Sequence, residues 1–212
     1  MSITTEKEIA MSVIGRPREF DRTEALELAM HAFWRKGYLA TSLSDLCEAM
    51  GIRSPSLYAA FGSKEALYLE AVEHYARTVG TAIWDRLSCG PSARAAVEDV
   101  LRAAVRSLPA SAKAPAGCMV ALGALSEECP GDIGATFKRI RLDCLERLRA
   151  RLRTAVSVGE LPETVHVESL SRFYLGVYAA LAVQARDGAT KAELKGVVDV
   201  AMRAWPIHPS SG

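Results

Sequence analysis

The 212-residue sequence has little of what metal and redox centres are made from. Its four histidines (His31, His74, His166, His208) are isolated, and its five cysteines (Cys47, Cys89, Cys118, Cys129, Cys144) include no C-x-x-C pair. This spacing supplies neither a zinc-ligand set nor a disulfide framework, and it fits reduced thiols in a cytoplasmic protein. No G-x-S-x-G, H-E-x-x-H, phosphate loop or dinucleotide fingerprint occurs, so the common hydrolase, metalloprotease and nucleotide-enzyme readings have no motif, and no cofactor is expected. The longest apolar stretch, Tyr174 to Val183, is far too short to span a bilayer. The segment holding Glu6, Lys7 and Glu8 lacks the apolar run of a signal peptide. Charge of one sign is also missing: 26 Lys+Arg against 25 Asp+Glu leave a net +1, which says almost nothing about partners. Strand signals are scarce as well. Ala, Leu, Arg and Glu are plentiful and no hairpin dipeptide separates alternating runs, so an all-α fold is expected.

What is present is concentrated between Ala40 and Lys64. Ser42 and Asp45 have capping-box spacing, which predicts a helix starting near Leu43 with Leu43, Leu46, Cys47 and Met50 on its apolar face. Gly51 stands where the chain must leave that helix, because glycine takes a left-handed cap without strain. Ile52 anchors the turn. Ser54 is a suitable N-cap and Pro55 suits the first helical position. Leu57, Ala60 and Phe61 face inward from the second helix, leaving Arg53, Ser56 and Tyr58 as a polar outer set. Gly62 ends that helix and Ser63 caps the next. Two short helices joined by a glycine turn form a helix-turn-helix, whose second helix enters the DNA major groove.

The block from about Arg16 to Tyr68 resembles the DNA-binding domain of the tetracycline-repressor (TetR) family of bacterial regulators. The resemblance is carried by Ala32, Phe33, Gly37, Tyr38, Thr41, Ser42, Leu46, Ala49, Gly51, Ser54, Leu57, Tyr58, Phe61, Lys64, Glu65 and Leu67. One departure is Cys47, where the family usually has isoleucine; a buried cysteine is a small hydrophobe, and no functional change is expected. The resemblance implies phosphate contacts from Tyr58 and Lys64, and from Thr41 or Ser42 at the motif's first helix. Such contacts set register without reading sequence. Base readout falls to Arg53, Ser54, Ser56 and Ala59, with Arg53 able to pair bidentately with guanine. The alternatives are an Arg53 that touches only phosphate and a Tyr58 half-buried in the core. Arg16 and Arg18, with Arg22 just beyond, make a basic arm placed to follow phosphates or enter the minor groove. A charged, unstructured terminus is the plain alternative. Asp21 and Glu24 resemble a capping box for the first helix. Residues 15–64 hold seven Lys/Arg against six Asp/Glu, so placement of a few groups must do the electrostatic work.

Helical patterns continue: Lys64 to Leu87, Ser92 to Leu108, Gly117 to Glu128, Asp132 to Ser157, Glu163 to Arg186 and Lys191 to Ala204, punctuated by Gly90-Pro91, Pro130-Gly131, Gly159 to Pro162 and Asp187-Gly188. The expected organisation is an arm (1–15), a three-helix DNA-binding domain (16–68), a helical effector-binding and dimerisation domain (69–205) and a tail (206–212). Leu170, Phe173, Val177 and Leu181 form one stripe, with Tyr174 and Tyr178 beside it. Leu194, Val197, Val198, Ala201 and Trp205 face one side of the last helix. By resemblance these two helices pair with their symmetry mates, and the homodimer meets a near-palindromic double-stranded operator. The alternative is that they only complete the monomer's core. An effector pocket for a small molecule of unknown identity is expected among the middle helices. Its candidate lining is His74, Arg77, Trp84, Leu101, Val105, Cys118, Met119, Leu122, Leu125, Phe137, Ile140, Phe173 and Tyr174, a composition that an ordinary core shares.

Cys118 follows Gly117 at a predicted helix start, where a thiol's pKa falls. The resemblance implies oxidant or electrophile sensing in some members; a buried inert thiol is the alternative. The basic run Lys138, Arg139, Arg141, Arg147, Arg149, Arg151 and Arg153 reads as a solvated face with Asp143 and Arg147 paired at i,i+4. Acidic-ligand binding or a second nucleic-acid contact are its other readings. The leading function is a DNA-binding transcriptional regulator, repression being the commoner outcome in the family. The competing class is a helical ligand carrier or enzyme, which has no need of the polar set after Gly51.

Overall fold

A computed structural model describes residues 20–111, 114–123 and 132–206. Among these residues every regular element is helical. Helix α1 (Arg22–Ala40) starts where the Asp21 carboxylate accepts from the backbone N–H groups of Thr23 and Glu24. It leaves helical geometry at Gly37. Helix α2 (Leu43–Met50) carries both halves of the expected box, Ser42 and Asp45 each capping the other's backbone. Gly51 ends it at φ +64°, the left-handed cap that its position requires. In helix α3 (Ser54–Phe61) the N-cap is Arg53, which makes no side-chain cap bond. Ser54 is therefore the first helical residue rather than the cap, and Pro55 is the second. Without the cap bond, proline's fixed φ supports the start.

Helix α4 (Lys64–Tyr75) is capped by Ser63. The expected helix to Leu87 exists as one continuous path, but it widens into a π-turn at Ala76–Gly80 before α5 (Thr81–Trp84) and a final 3₁₀ turn. Then follow α6 (Ala93–Ser107), α7 (Met119–Leu122), α8 (Ile133–Ser157), α9 (Val167–Arg186) and α10 (Lys191–Arg203). Within the described residues α7 stops at Gly123, which turns extended, so the helix expected from Gly117 onward is a single turn there. Thr190 and Glu193 form a capping box at the start of α10.

The first unit closes around Leu46, Leu57, Leu67, Phe33 and Tyr68, all buried. Phe33 meets Tyr68 edge-on at 4.7 Å, a favourable aromatic geometry. Arg22 clamps the unit from outside: it grips Glu70 with two short bonds (2.6 and 2.7 Å), donates to the Ala60 carbonyl and lies 4.5 Å over the Phe61 ring. The second unit buries Phe137, Leu145, Leu148, Leu152, Tyr174, Leu181 and Leu194.

The basic run of α8 is a solvated face only in part: Lys138, Arg139 and Arg153 are exposed, but most of its arginines pair with other elements. Arg139 pairs with Glu73 of α4, Arg147 with Asp85 at 2.6 Å, Arg149 with Glu168 at 2.5 Å and Arg151 with Glu160 at 3.7 Å. Arg147 thus prefers a partner 62 positions away to Asp143 one turn behind. These arginines lash α8 to its neighbours.

Candidate functional site

Two surfaces and one cavity hold the residues singled out from sequence. The first surface is the outer face of α3. Tyr58 is 47% exposed, and Arg53, Ser54 and Ala59 are exposed beside it. Among the described residues, the guanidinium of Arg53 makes no hydrogen bond or ion pair. Ser56 is only half exposed. Ser54 Oγ lies 3.5 Å from Cys47 Sγ, so the unusual cysteine of α2 packs at the root of α3. Lys64 opens α4 directly after α3, with Nζ 4.4 Å from the centroid of the Tyr38 ring, and its partial burial lowers its pKa.

Three expectations for this surface change. Thr41 is fully buried and its hydroxyl donates to the Gly37 carbonyl at 2.6 Å, so that hydroxyl is committed to closing the α1–α2 corner and is not offered to phosphate. Ser42 is exposed, with its oxygen engaged in the cap. Arg22 belongs to the Glu70 clamp and not to a basic arm. Arg16 and Arg18 lie outside the described residues. Lys36 is paired with Asp45 at 2.8 Å, and that pair together with the Ser42 bonds holds the Asp45 carboxyl well below its ordinary range. Locally, then, α3 presents Arg53, Tyr58 and the nearby Lys64 around small side chains.

The cavity has a volume of about 650 Å³ and lies between α4, its π-turn, α5, α7, α8 and α9. Trp84, Cys118, Arg77 and Ile140 line it as expected. Tyr75, Tyr178, Arg141, Cys144 and Arg172 also line it, facing a wall of small α9 residues that includes Gly176, Ala179 and Ala180. Eight expected lining residues stand elsewhere. Phe137 is fully buried against Tyr68. Tyr174 packs on Trp205 and donates to the Ala201 carbonyl between α9 and α10. Phe173 points out of the far side of α9. Leu122 covers Gly117. His74 of α4 is not part of the lining. Leu101, Val105 and Met119 belong to the core, and Leu125 lies outside the described residues.

Burial pushes the phenols of Tyr75 and Tyr178 well above their ordinary range, the neighbouring Cys118 adding to it. Both remain neutral donors. Burial also pushes the Cys144 thiol up to about 12. Cys118 is 3% exposed and accepts from the Ala121 N–H at 3.4 Å in the single turn of α7. That is the setting of the buried thiol. Among the described residues no group of three or more His, Cys, Asp or Glu could hold a metal ion, and no helix is long and apolar enough to cross a membrane.

The second surface is the outer face of α9 and α10. Phe173 (43% exposed), Val177, Val197 and Val200 (64% exposed) border a shallow groove there, with Gly196 at its floor. Leu181 and Leu194 are fully buried within the chain, so they complete its core and have no surface to give a partner. Ala201 is nearly covered but still borders the groove, and Leu170 is half exposed. Helical periodicity could not say which residues of each face turn inward.

Residues 25–71 match the family described as bacterial regulatory proteins, tetR family. The chain is 34% identical over 195 residues to the HTH-type transcriptional repressor ComR of Escherichia coli (strain K12), covering 91% of this chain and 92% of that protein. It is 31% identical over 194 residues to the HTH-type transcriptional regulator YezE of Bacillus subtilis (strain 168), covering 89% and 98%. Among solved structures it is similar to a cysteine mutant of the TetR family transcriptional regulator CifR bound to 26-base-pair operator DNA. That match has 42% identity and a TM-score of 0.84, over 91% of this chain and 100% of that one.

Proposed function

The chain belongs to the TetR family of bacterial transcriptional regulators, and we propose that it represses transcription as a homodimer released from its operator by a small molecule. The observation that carries the reading is the outer face of α3: an Arg53 without a partner among the described residues and an exposed Tyr58, followed at once by Lys64. Arg53 reads a base edge in the major groove, while Tyr58 and Lys64 hold phosphates and fix the register. Two copies meet through the α9–α10 groove, Phe173, Val177, Val197 and Val200 filling the space that one chain leaves open. The cavity beside Trp84 takes the effector. The residues that surround it belong to α4, α8 and α9, and α4 also packs against α1. A change in cavity occupancy therefore has a short path to the DNA-binding unit.

The test is selection of bound fragments from DNA flanking the protein's own gene, followed by affinity measurements with the selected fragment. Arg53→Ala should weaken binding by about 1–3 kcal/mol and relax preference at one position, whereas Tyr58→Phe should weaken all sequences alike. Retention of full affinity and preference in Arg53→Ala would remove α3 from the reading role.

A further inference from the structure

We propose that the cavity takes a ligand with a carboxylate on an apolar body, and that Arg141 is the residue that anchors the carboxylate. The inference rests on the effector-cavity reading above and names its ligand class.

The lining is mostly apolar, yet four arginines reach it against a single acidic residue, Asp143. Two of the four are already neutralised, Arg147 by Asp85 at 2.6 Å and Arg172 by Glu168 at 2.5 Å. Arg77 and Arg141 have no carboxylate partner among the described residues. Arg141 is the more confined of the two. Its Nη1 donates to the carbonyls of Val120 (3.3 Å) and Gly123 (3.2 Å), which pin the guanidinium against α7. Its remaining N–H groups have no partner among the described residues. Burial alone lowers its pKa, because neutral carbonyls replace water without supplying an opposite charge.

A partly desolvated guanidinium held in a fixed orientation gains most from an anion, and its fork matches a carboxylate. Tyr75 and Tyr178 favour the same ligand. Both line the same cavity, and burial keeps their phenols neutral, so neither repels an anion. Among the described residues, a cationic ligand would find Asp143 as the single acidic group of the lining, against four arginines. A purely apolar ligand would leave the Arg141 charge uncompensated. The apolar body has its own place along Trp84, Ile140 and the small-residue wall of α9, where Gly176, Ala179 and Ala180 leave room.

The experiment is calorimetric titration of the full chain with three probes of matched shape, decanoate, decanamide and decylammonium, each below its micellar concentration. Decanoate should bind about tenfold or more tightly than decanamide, with decylammonium weakest. Arg141→Gln should abolish the preference for decanoate, and Arg141→Lys should retain part of it. Operator affinity without ligand and the thermal midpoint report that both variants fold. Equal or better binding of decanamide or decylammonium overturns the anionic class while leaving the cavity a ligand site. An unchanged preference in Arg141→Gln overturns the role of Arg141. Absence of binding by all three probes overturns the effector-cavity reading, and this inference with it.

Discussion

Arg186, the last residue of α9, donates to the backbone carbonyl of Trp34 at 3.0 Å and to that of Arg35 at 3.4 Å. Those carbonyls belong to the final turn of α1 before it breaks at Gly37. Helix ends leave carbonyls without intrahelical donors, and a cation there is favourable. On its other side, Arg186 approaches Gly117, whose neighbour Cys118 lines the cavity. One side chain therefore joins the cavity wall, the α9 helix and the helix that supports α2.

If this bridge transmits occupancy, Arg186→Ala should leave the fold intact and weaken the effect of a cavity ligand on operator affinity. The expected loss is about 1 kcal/mol of coupling, roughly fivefold in the ratio of operator affinities with and without ligand. Fluorescence anisotropy with labelled operator measures that ratio. An unchanged ratio would assign Arg186 a purely structural part.

Gly117 should resist substitution. It sits at φ +81°, and an added Cβ would lie 2.4 Å from Leu122 Cδ1 and 3.0 Å from the Ala182 carbonyl oxygen. Strained backbone, with the Leu122 side chain forced aside and the Ala182 carbonyl crowded, should cost Gly117→Ala about 2 kcal/mol, or roughly 4–8 °C in thermal midpoint for a chain of this size. A midpoint within about 1 °C of wild type would show that the α7 segment yields freely.

A pH dependence should originate at His31. Its Nδ1 and the neighbouring Trp34 Nε1 are buried without hydrogen-bond partners among the described residues. Burial holds the His31 pKa below its ordinary 6.5, with Glu27 opposing and Arg35 adding to the effect. The folded state thus resists a proton that the unfolded chain accepts. The sign follows: stability is complete above about 6.5 and is lost as pH falls through that value toward the folded pKa. Urea midpoints at about pH 7.5 and about pH 5.5 should differ less in His31→Leu than in wild type. Equal differences would place the pH dependence elsewhere.

The thiols should differ in reactivity. Cys89 is exposed, Cys118 is buried, and the Cys144 thiol with a pKa of about 12 is almost wholly protonated. At about pH 8 its thiolate fraction is about one part in ten thousand. Peptide mass spectrometry after iodoacetamide treatment should therefore find Cys89 modified first, with operator affinity unchanged. Early modification of Cys118 with a fall in affinity would restore the electrophile-sensing reading.

The sequence was most legible where the signals are local. Ser42, Asp45, Gly51 and Gly62 punctuate α2 and α3 through bonds within four residues, and each stands as expected. Side chains whose fate depends on distant elements were not readable. Phe137, Tyr174 and Trp84 have the same composition signature, yet only Trp84 lines the cavity, because that outcome depends on the packing of α8 and α9. Arg147 found Asp85 across the fold instead of Asp143 along its own helix. Thr41 looked like a surface hydroxyl until the Gly37 break turned it inward. Of the cavity residues missed from sequence, Tyr75 and Cys144 carried no pattern of their own, while Tyr178 and Arg141 stood in a helix stripe and a basic run that pointed to other roles.

The most direct measurement is a hydroxyl-radical footprint of the full chain on its selected operator. An α3-reading dimer predicts two equivalent protected patches on one face of the duplex, centred about 10–10.5 base pairs or a multiple apart, with two or four chains bound and both patches lost in Arg53→Ala. A single patch, uniform coverage without preferred positions, or patches that persist in Arg53→Ala would contradict it.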